Sequence, residues 1–428
     1  QLIIDKYIMK DSKNRKTNQI TRKHYDMVPH SLITSVLEIV KVAENTKKFI
    51  KGSMEMWNTI LESERQELGR VHIKRGIFQG DSLSPLMFVL SMIPLTYVLR
   101  KMKPSYTTRD KNSVNHLLYM NDLKLYGKSE NDITSLINTV RIYSNDIGME
   151  FGLDKCATII LKRGKLTRGT DIQMPEGDTI HQMEDNEEYK YLGILEADDI
   201  KHEKMKDKIF KEYSDRVKRV LKSKLSAGNL FQAINTWAVS LYQYGAGVVE
   251  WTKDELKKID RRTRKLIAMH CGMQPRSVVD RLYVERGKRG RGLMSIEDTV
   301  KYESHSLKKY TEDSQVEVIR NAGRVVESDE EDMTKSGYRD KQKTTRIDEW
   351  VEKPMNGQYI RQTKEHTAAE TWKWMTRGSL RRETESLIVA AQDQALRTSY
   401  RKARIEKSSD DAKCRLCKTR DETISHLV

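Results

Sequence analysis

His116-Leu117-Leu118-Tyr119-Met120-Asn121-Asp122-Leu123-Lys124-Leu125-Tyr126 is an apolar run, a two-residue polar break and a second apolar run. The pattern predicts a β-hairpin with Asn121-Asp122 at a tight tip. A hairpin tip can bring carboxylates to one point. Two-metal nucleotidyl transfer needs its ligands placed that way, because both metals must clamp the attacking and leaving oxygens. On its own, Tyr119-Met120-Asn121-Asp122 is also what an ordinary solvated turn looks like, and its meaning depends on its neighbours in the chain.

Upstream stands Arg75-Gly76-Ile77-Phe78-Gln79-Gly80-Asp81-Ser82-Leu83-Ser84-Pro85. Its glycines let backbone approach a nucleotide closely, and Gln79 and Ser82 can bond polar groups. Ser82 and Ser84-Pro85 predict the start of a helix. Downstream come Gly148-Met149-Glu150-Phe151-Gly152-Leu153-Asp154-Lys155-Cys156 and then Tyr189-Lys190-Tyr191-Leu192-Gly193. In this order and spacing the four blocks resemble reverse transcriptases of non-LTR retrotransposons. The similarity extends more weakly through Trp237–Leu241 and Tyr244–Gly247. Residues 277–298 and 350–428 look similar to the C-terminal region of the same elements.

The resemblance implies an α+β fold: a palm with a small antiparallel sheet, fingers, a helical thumb, then a mostly helical C-terminal region ending in a zinc knuckle. It implies RNA-templated DNA synthesis with Mg²⁺ or Mn²⁺, an RNA template and a DNA primer or target. Arg75, Gly76, Gln79, Gly80, Asp81 and Ser82, with Tyr119 and Met120, would line the template and incoming nucleotide. Lys155 would sit near the triphosphate as proton donor to the leaving pyrophosphate. Tyr191, Leu192 and Gly193 would belong to the primer-grip hairpin.

Two departures stand out. The family tip is Tyr/Phe-x-Asp-Asp, with the first Asp a metal ligand, and Asn121 occupies that position here. An amide is neutral and presents one oxygen, so it should hold Mg²⁺ far more weakly than a carboxylate. Asp122 remains as a weak ligand. The family's first catalytic block is an apolar strand followed by Asp-x-x-x-Ala-Tyr/Phe-Asp. Its matching end is Lys23-His24-Tyr25-Asp26, which puts the leading Asp on Ile20. The preceding Lys13–Gln19 is polar, so the central palm strand is expected to be lost. Asp26 is the trailing Asp, and nothing supports Asp5 or Asp11 as a substitute. Removing one key electrostatic group typically costs ~10²–10³ in rate. The expectation is an impaired or inactive polymerase. The rivals are a non-catalytic nucleic-acid-binding remnant and an inert product that does not fold.

Charge agrees with a polyanionic partner. Lys and Arg number 78 against 62 Asp and Glu, a net +16, which raises local concentrations of nucleic acid. The excess is spread along the chain, as suits a long groove. A charged share of 33% and a mean hydropathy of −0.71 fit a large solvated surface. No run approaches the ~18 apolar residues of a membrane span, and no secretory signal is visible. Four Cys in 428 residues do not make a disulfide framework, which favours a reducing compartment, nucleus or cytoplasm. Cys414-x-x-Cys417 followed by His426 has zinc-knuckle spacing. The opening on Gln1 and the close at Val428, two residues after His426, suggest a fragment whose fourth zinc ligand falls outside it.

Helices are expected over Leu32–Val40, Asp132–Ile147 and, from the spacing of Met205, Ile209, Tyr213, Val217 and Leu221, the segment after Asp198. Others are expected over 228–247, 252–270 and Glu383–Arg404, with short strands at Cys156–Leu161 and Tyr189–Leu195. The domains follow as fingers and palm at 1–198, thumb and connection at 199–320, a charged linker at 321–349, a helical region at 350–412 and the knuckle at 413–428. Trp372 and Trp374 are expected in a core.

Overall fold

In the computed structural model the chain divides into two units, Gln1–Lys201 and His202–Val428. The structure describes residues 2–9, 23–63, 66–78, 80–108, 111–149, 156–162, 165–173, 177, 179–184, 187–323, 333–363 and 370–427, without the side chains of 2–9, 23, 24, 165 and 425. Ile20, Asp11, Lys13–Gln19, Gln79 and Lys155 lie outside the described residues.

The first unit opens with β1 (Leu2–Met9), α1 (Lys23–Met27), α2 (His30–Ile39) and α3 (Glu44–Glu55), then the β2 (Asn58–Ser63) and β3 (Gln66–His72) hairpin. Next come α4 (Ser84–Lys101), a small pair β4 (Tyr106–Thr107) and β5 (Ser113–Val114), and the hairpin β6 (His116–Tyr119) and β7 (Asp122–Gly127). α5 (Glu130–Asp146), β8 (Cys156–Lys162) and β9 (Lys165–Leu166) follow. Two further pairs complete it: β10 (Ile172–Gln173) with β11 (Thr179–Ile180), and β12 (Tyr189–Tyr191) with β13 (Ile194–Glu196).

The sheet order is β6-β7-β1-β8-β9. β1 therefore takes the centre, antiparallel to both β7 and β8. The sequence led us to expect no central strand; the position is filled from upstream, by the isoleucine-rich Leu2–Met9, whose β-branched residues suit a strand. α4 and α5 share one core with the sheet. Met87, Phe88, Leu95 and Leu99 meet Leu136, Ile137 and Val140, with Leu123, Leu125 and Ile160 of the strands. The expected α2 and α5 helices are present. Ser129 caps α5 by accepting from the Asp132 N–H, and Gly148 (φ 71) follows its end.

The second unit is helical: α6 (His202–Lys222), α7 (Ala227–Ala233), a π-helical turn at Ile234–Val239, α8 (Ser240–Gly245), α9 (Lys253–Met269), α10 (Val279–Tyr283), α11 (Ile296–Glu312), α12 (Glu317–Gly323) and α13 (Lys335–Val351). Shorter helices follow, then Arg382–Gln392. The stretch expected as a linker over 321–349 is thus helical at Lys335–Val351. Its few apolar residues are enough to anchor it, because Tyr338 and Trp350 are buried and Arg346 reaches Asp298 at 3.0 Å. The helix expected over Glu383–Arg404 stops at Gln392 and resumes as a π-helical turn at Arg401–Ile405.

Buried ion pairs join the 281–291 segment to the C-terminal helices. Arg281 reaches Asp393 at 2.6 Å, with its guanidinium over Trp350 at 4.9 Å and Trp372 at 5.3 Å. Glu385 accepts from Arg286 at 2.8 Å and Arg291 at 3.2 Å. Residues 350–412 therefore belong to the same compact unit as the helices before them.

Candidate active site and metal centre

β6 and β7 pair from His116 opposite Leu125 to Tyr119 opposite Asp122, which leaves Met120-Asn121 as a two-residue turn. The left-handed residue is Met120 (φ 54), a conformation that costs a side-chain-bearing residue energy and that clusters at functional turns. Asn121 is exposed and Asp122 half-buried. Alternation along β7 sends Leu123 and Leu125 into the core and Asp122 and Lys124 to the other face.

That other face lies under the β12–β13 hairpin. Lys124 is buried, bonds Glu196 at 2.7 Å and sits 3.8 Å from the centre of the Tyr191 ring. Burial, then the negative charges of Asp122 and Glu196, push the Tyr191 hydroxyl up to about 12. Burial first, with the same two carboxylates, also raises Tyr189. The turn of this hairpin is Leu192 (φ 47) and Gly193 (φ 86), both left-handed as a tight hairpin turn prefers. The sequence did not single out Lys124 or Glu196. Between two leucines Lys124 looks like a solvated lysine, and only the covering hairpin makes it a buried one.

The Arg75–Pro85 block begins against the Tyr25–His30 segment. Gly76 donates to the Val28 carbonyl at 2.8 Å and Ile77 to Tyr25 at 2.8 Å. A Cβ on Gly76 (φ 99) would meet the Asp26 carbonyl at 2.8 Å, so glycine is required twice over, by space and by conformation. Arg75 is exposed, and its guanidinium lies where a Cβ on Gly148 would be, which brings the Arg75–Pro85 and Gly148 blocks together. Asp81 accepts from the Leu83 N–H at 2.8 Å, which shapes the turn that leads into α4. Gly80 (φ 96) and Ser82 stand exposed beside it.

Residues 20–195 match the family described as reverse transcriptase (RNA-dependent DNA polymerase). This part of the chain is a reverse transcriptase domain of the non-LTR retrotransposon type. The chain is 28% identical over 163 residues to a Pol polyprotein of a type-1 retrotransposable element R2 from Popillia japonica, which is 37% of this chain and 23% of that protein. It is 24% identical over 177 residues to the Pol polyprotein of the type-2 element R2DM from Drosophila melanogaster, 40% of this chain and 16% of that protein. The chain thus spans under a third of the length of these relatives.

Within the reverse transcriptase domain the described residues do not fit a two-metal site. The tip carries one carboxylate, Asp122, beside the amide of Asn121. The register sets Asp5 opposite Tyr126, four residues up β7 from Asp122, or about 13 Å along the strand at ~3.3 Å per residue. Asp26 is exposed on α1. Among the described residues, no group of three His, Cys, Asp or Glu side chains gathers at the hairpin.

One such group forms elsewhere. The ligand atoms of Cys414, Cys417 and His426 lie within 4.8 Å of one another, with Cys417 Sγ 3.2 Å from His426 Nε2. The turn is built by Cys414 N–H donating to Arg420 and Lys418 N–H to Cys414, both at 2.8 Å, with Lys418 left-handed (φ 56). The Arg420 N–H first, then the Thr419 hydroxyl, pull the Cys417 thiol down to about 6. Glu422 holds the turn in place, accepting from the Arg415 side chain at 2.8 Å and from the Ser399 N–H at 3.0 Å. Two thiolates and an imidazole could hold a metal ion, and zinc is the metal such donors favour.

Among the described residues no helix is long and apolar enough to cross a membrane.

Proposed function

We propose that this chain is a retrotransposon reverse transcriptase whose nucleotidyl-transfer centre is impaired or lost, with its nucleic-acid-binding surfaces retained. The observation that carries this reading is the hairpin tip, where Asn121 stands beside Asp122 and Asp5 is held away by the strand register. In this reading Arg75, Gly76, Gly80, Asp81 and Ser82, with Tyr119 and Met120, line the template and incoming nucleotide. Tyr191, Leu192 and Gly193 support a primer end, and an RNA template and DNA primer are the partners. Two-metal chemistry lacking its principal anionic ligands is expected to slow by at least ~10²–10³.

A second reading, a nucleic-acid-binding protein without catalysis, is favoured by the assembled Cys414–Cys417–His426 cluster and by the +16 charge. Primer extension on an RNA template with Mg²⁺ or Mn²⁺, beside RNA binding measured against salt, separates the two. Slow extension with Mn²⁺ supports an impaired polymerase. Salt-dependent binding with no extension supports the remnant, and robust cDNA synthesis overturns both.

A further inference from the structure

A pocket of about 310 Å³ opens in the second unit, lined by Gly287, Arg289, Glu370, Trp372, Lys373 and Arg377 among others. It lies outside the stretch that matches the reverse transcriptase family. Three of its walls are cationic. Lys373 pairs with Glu370 at 3.3 Å, whereas no described ion pair engages Arg289 or Arg377. Gly287 adds open backbone, since a Cβ there would touch nothing within 4 Å.

Trp372 forms part of the pocket wall. The residue is only 3% exposed, and its indole Nε1 is buried without a hydrogen-bond partner among the described residues. The ring itself is occupied, with Arg281 at 5.3 Å and Arg289 at 5.8 Å from its centroid. A base therefore has no free aromatic face to stack on here. What the pocket offers is positive charge and open backbone, which suits an anionic group rich in acceptor oxygens. A volume of this size holds a phosphate with its sugar.

We propose that this pocket binds the phosphodiester backbone of a single-stranded nucleic acid, with Arg289 and Arg377 as the phosphate contacts. The proposal rests on the nucleic-acid-binding part of the function above. Glu370, with 79% of its side chain exposed, opposes the strand and is offset by Lys373.

The test uses the full chain and a fluorescein-labelled oligouridine, with affinity followed against salt by anisotropy. Arg289→Gln/Arg377→Gln removes two contacts and should lower the slope of log K against log salt by about 1.4, at ~0.7 per contact on a single strand. Lys103→Gln/Lys111→Gln removes the same charge from exposed positions in the first unit and should leave most of the slope. Glu370→Gln should tighten binding, which tests the pocket even if the arginine variant fails to fold. A wild-type slope in the arginine variant, an equal fall in the lysine variant, or no tightening in Glu370→Gln overturns the pocket while leaving nucleic-acid binding standing. No oligouridine binding by the unaltered chain overturns both.

Discussion

Among the described residues, the tight turns at Tyr119–Asp122 and Cys414–His426 differ in the metal-binding groups they bring together. At Tyr119–Asp122 the hairpin is complete, with paired strands, a left-handed Met120 and a buried layer on each face. Its tip carries one carboxylate, Asp122, beside the amide of Asn121. At Cys414–His426 the turn is small and exposed, yet three ligand atoms lie within 4.8 Å of one another. The difference teaches that scaffold and chemistry are held by different forces. The hairpin persists because Leu123, Leu125 and Lys124 are packed from both sides. Nothing in that packing depends on which oxygen Asn121 presents to solvent.

The largest effect is expected where the hairpin scaffold is attacked. Lys124→Met takes the Lys124 cation from the half-buried Glu196, and breaking this pair should cost about 3 kcal/mol, the low end for a buried pair. Lys124→Met/Glu196→Met should recover most of that, as read by denaturant unfolding. No loss in the single variant would mean that the layer under β12–β13 does not hold the tip. Next is the Cys414–Cys417–His426 cluster. Zinc competition with a chromophoric chelator should show one ion per chain, weakened about 100-fold by Cys414→Ser, since each ligand carries about 3 kcal/mol of a structural site's 10–16. Unchanged affinity would place the zinc elsewhere.

Smaller is the effect of Glu422. Arg415 first holds its carboxyl down from 4.5 to about 2. A depressed folded value means stability that is full above pH 4.5 and lost as pH falls toward 2. Glu422→Gln should remove that acid dependence and cost about 1–3 kcal/mol in the stability of the metal-free Cys414–His426 turn. An unchanged acid transition would contradict the assignment. The smallest effect leaves stability alone: in metal-free protein, iodoacetamide labelling of Cys417 should be half-maximal near pH 6, the value to which its thiol is lowered, and near 9 if the turn is not formed.

Much of the fold was legible where periodicity is local. The period-2 pattern around Asn121-Asp122 gave the hairpin, and the apolar spacing of α2 and α5 gave their helices, ending at Val40 and Gly148 within a residue or two. Features set by distant partners were not legible. β1 is eight residues whose strand identity depends on β7 and β8, more than a hundred residues later. α13 hides behind its charges, because the groups that bury Tyr338 and Trp350 come from elsewhere in the unit. At the site, the amide of Asn121 beside Asp122 was read directly from the sequence. The placing of Asp5 could not, because it follows from a register that only pairing fixes.

The most direct measurement of the central claim is primer extension by the unaltered chain and by Asn121→Asp, on the same RNA template with Mg²⁺ and with Mn²⁺. Restoring the tip carboxylate gives two adjacent Asp side chains but leaves Asp5 about 13 Å along the strand, so we expect extension from neither protein above a heat-inactivated control with Mg²⁺. Processive cDNA synthesis by the unaltered chain, or its full recovery in Asn121→Asp, would contradict the account.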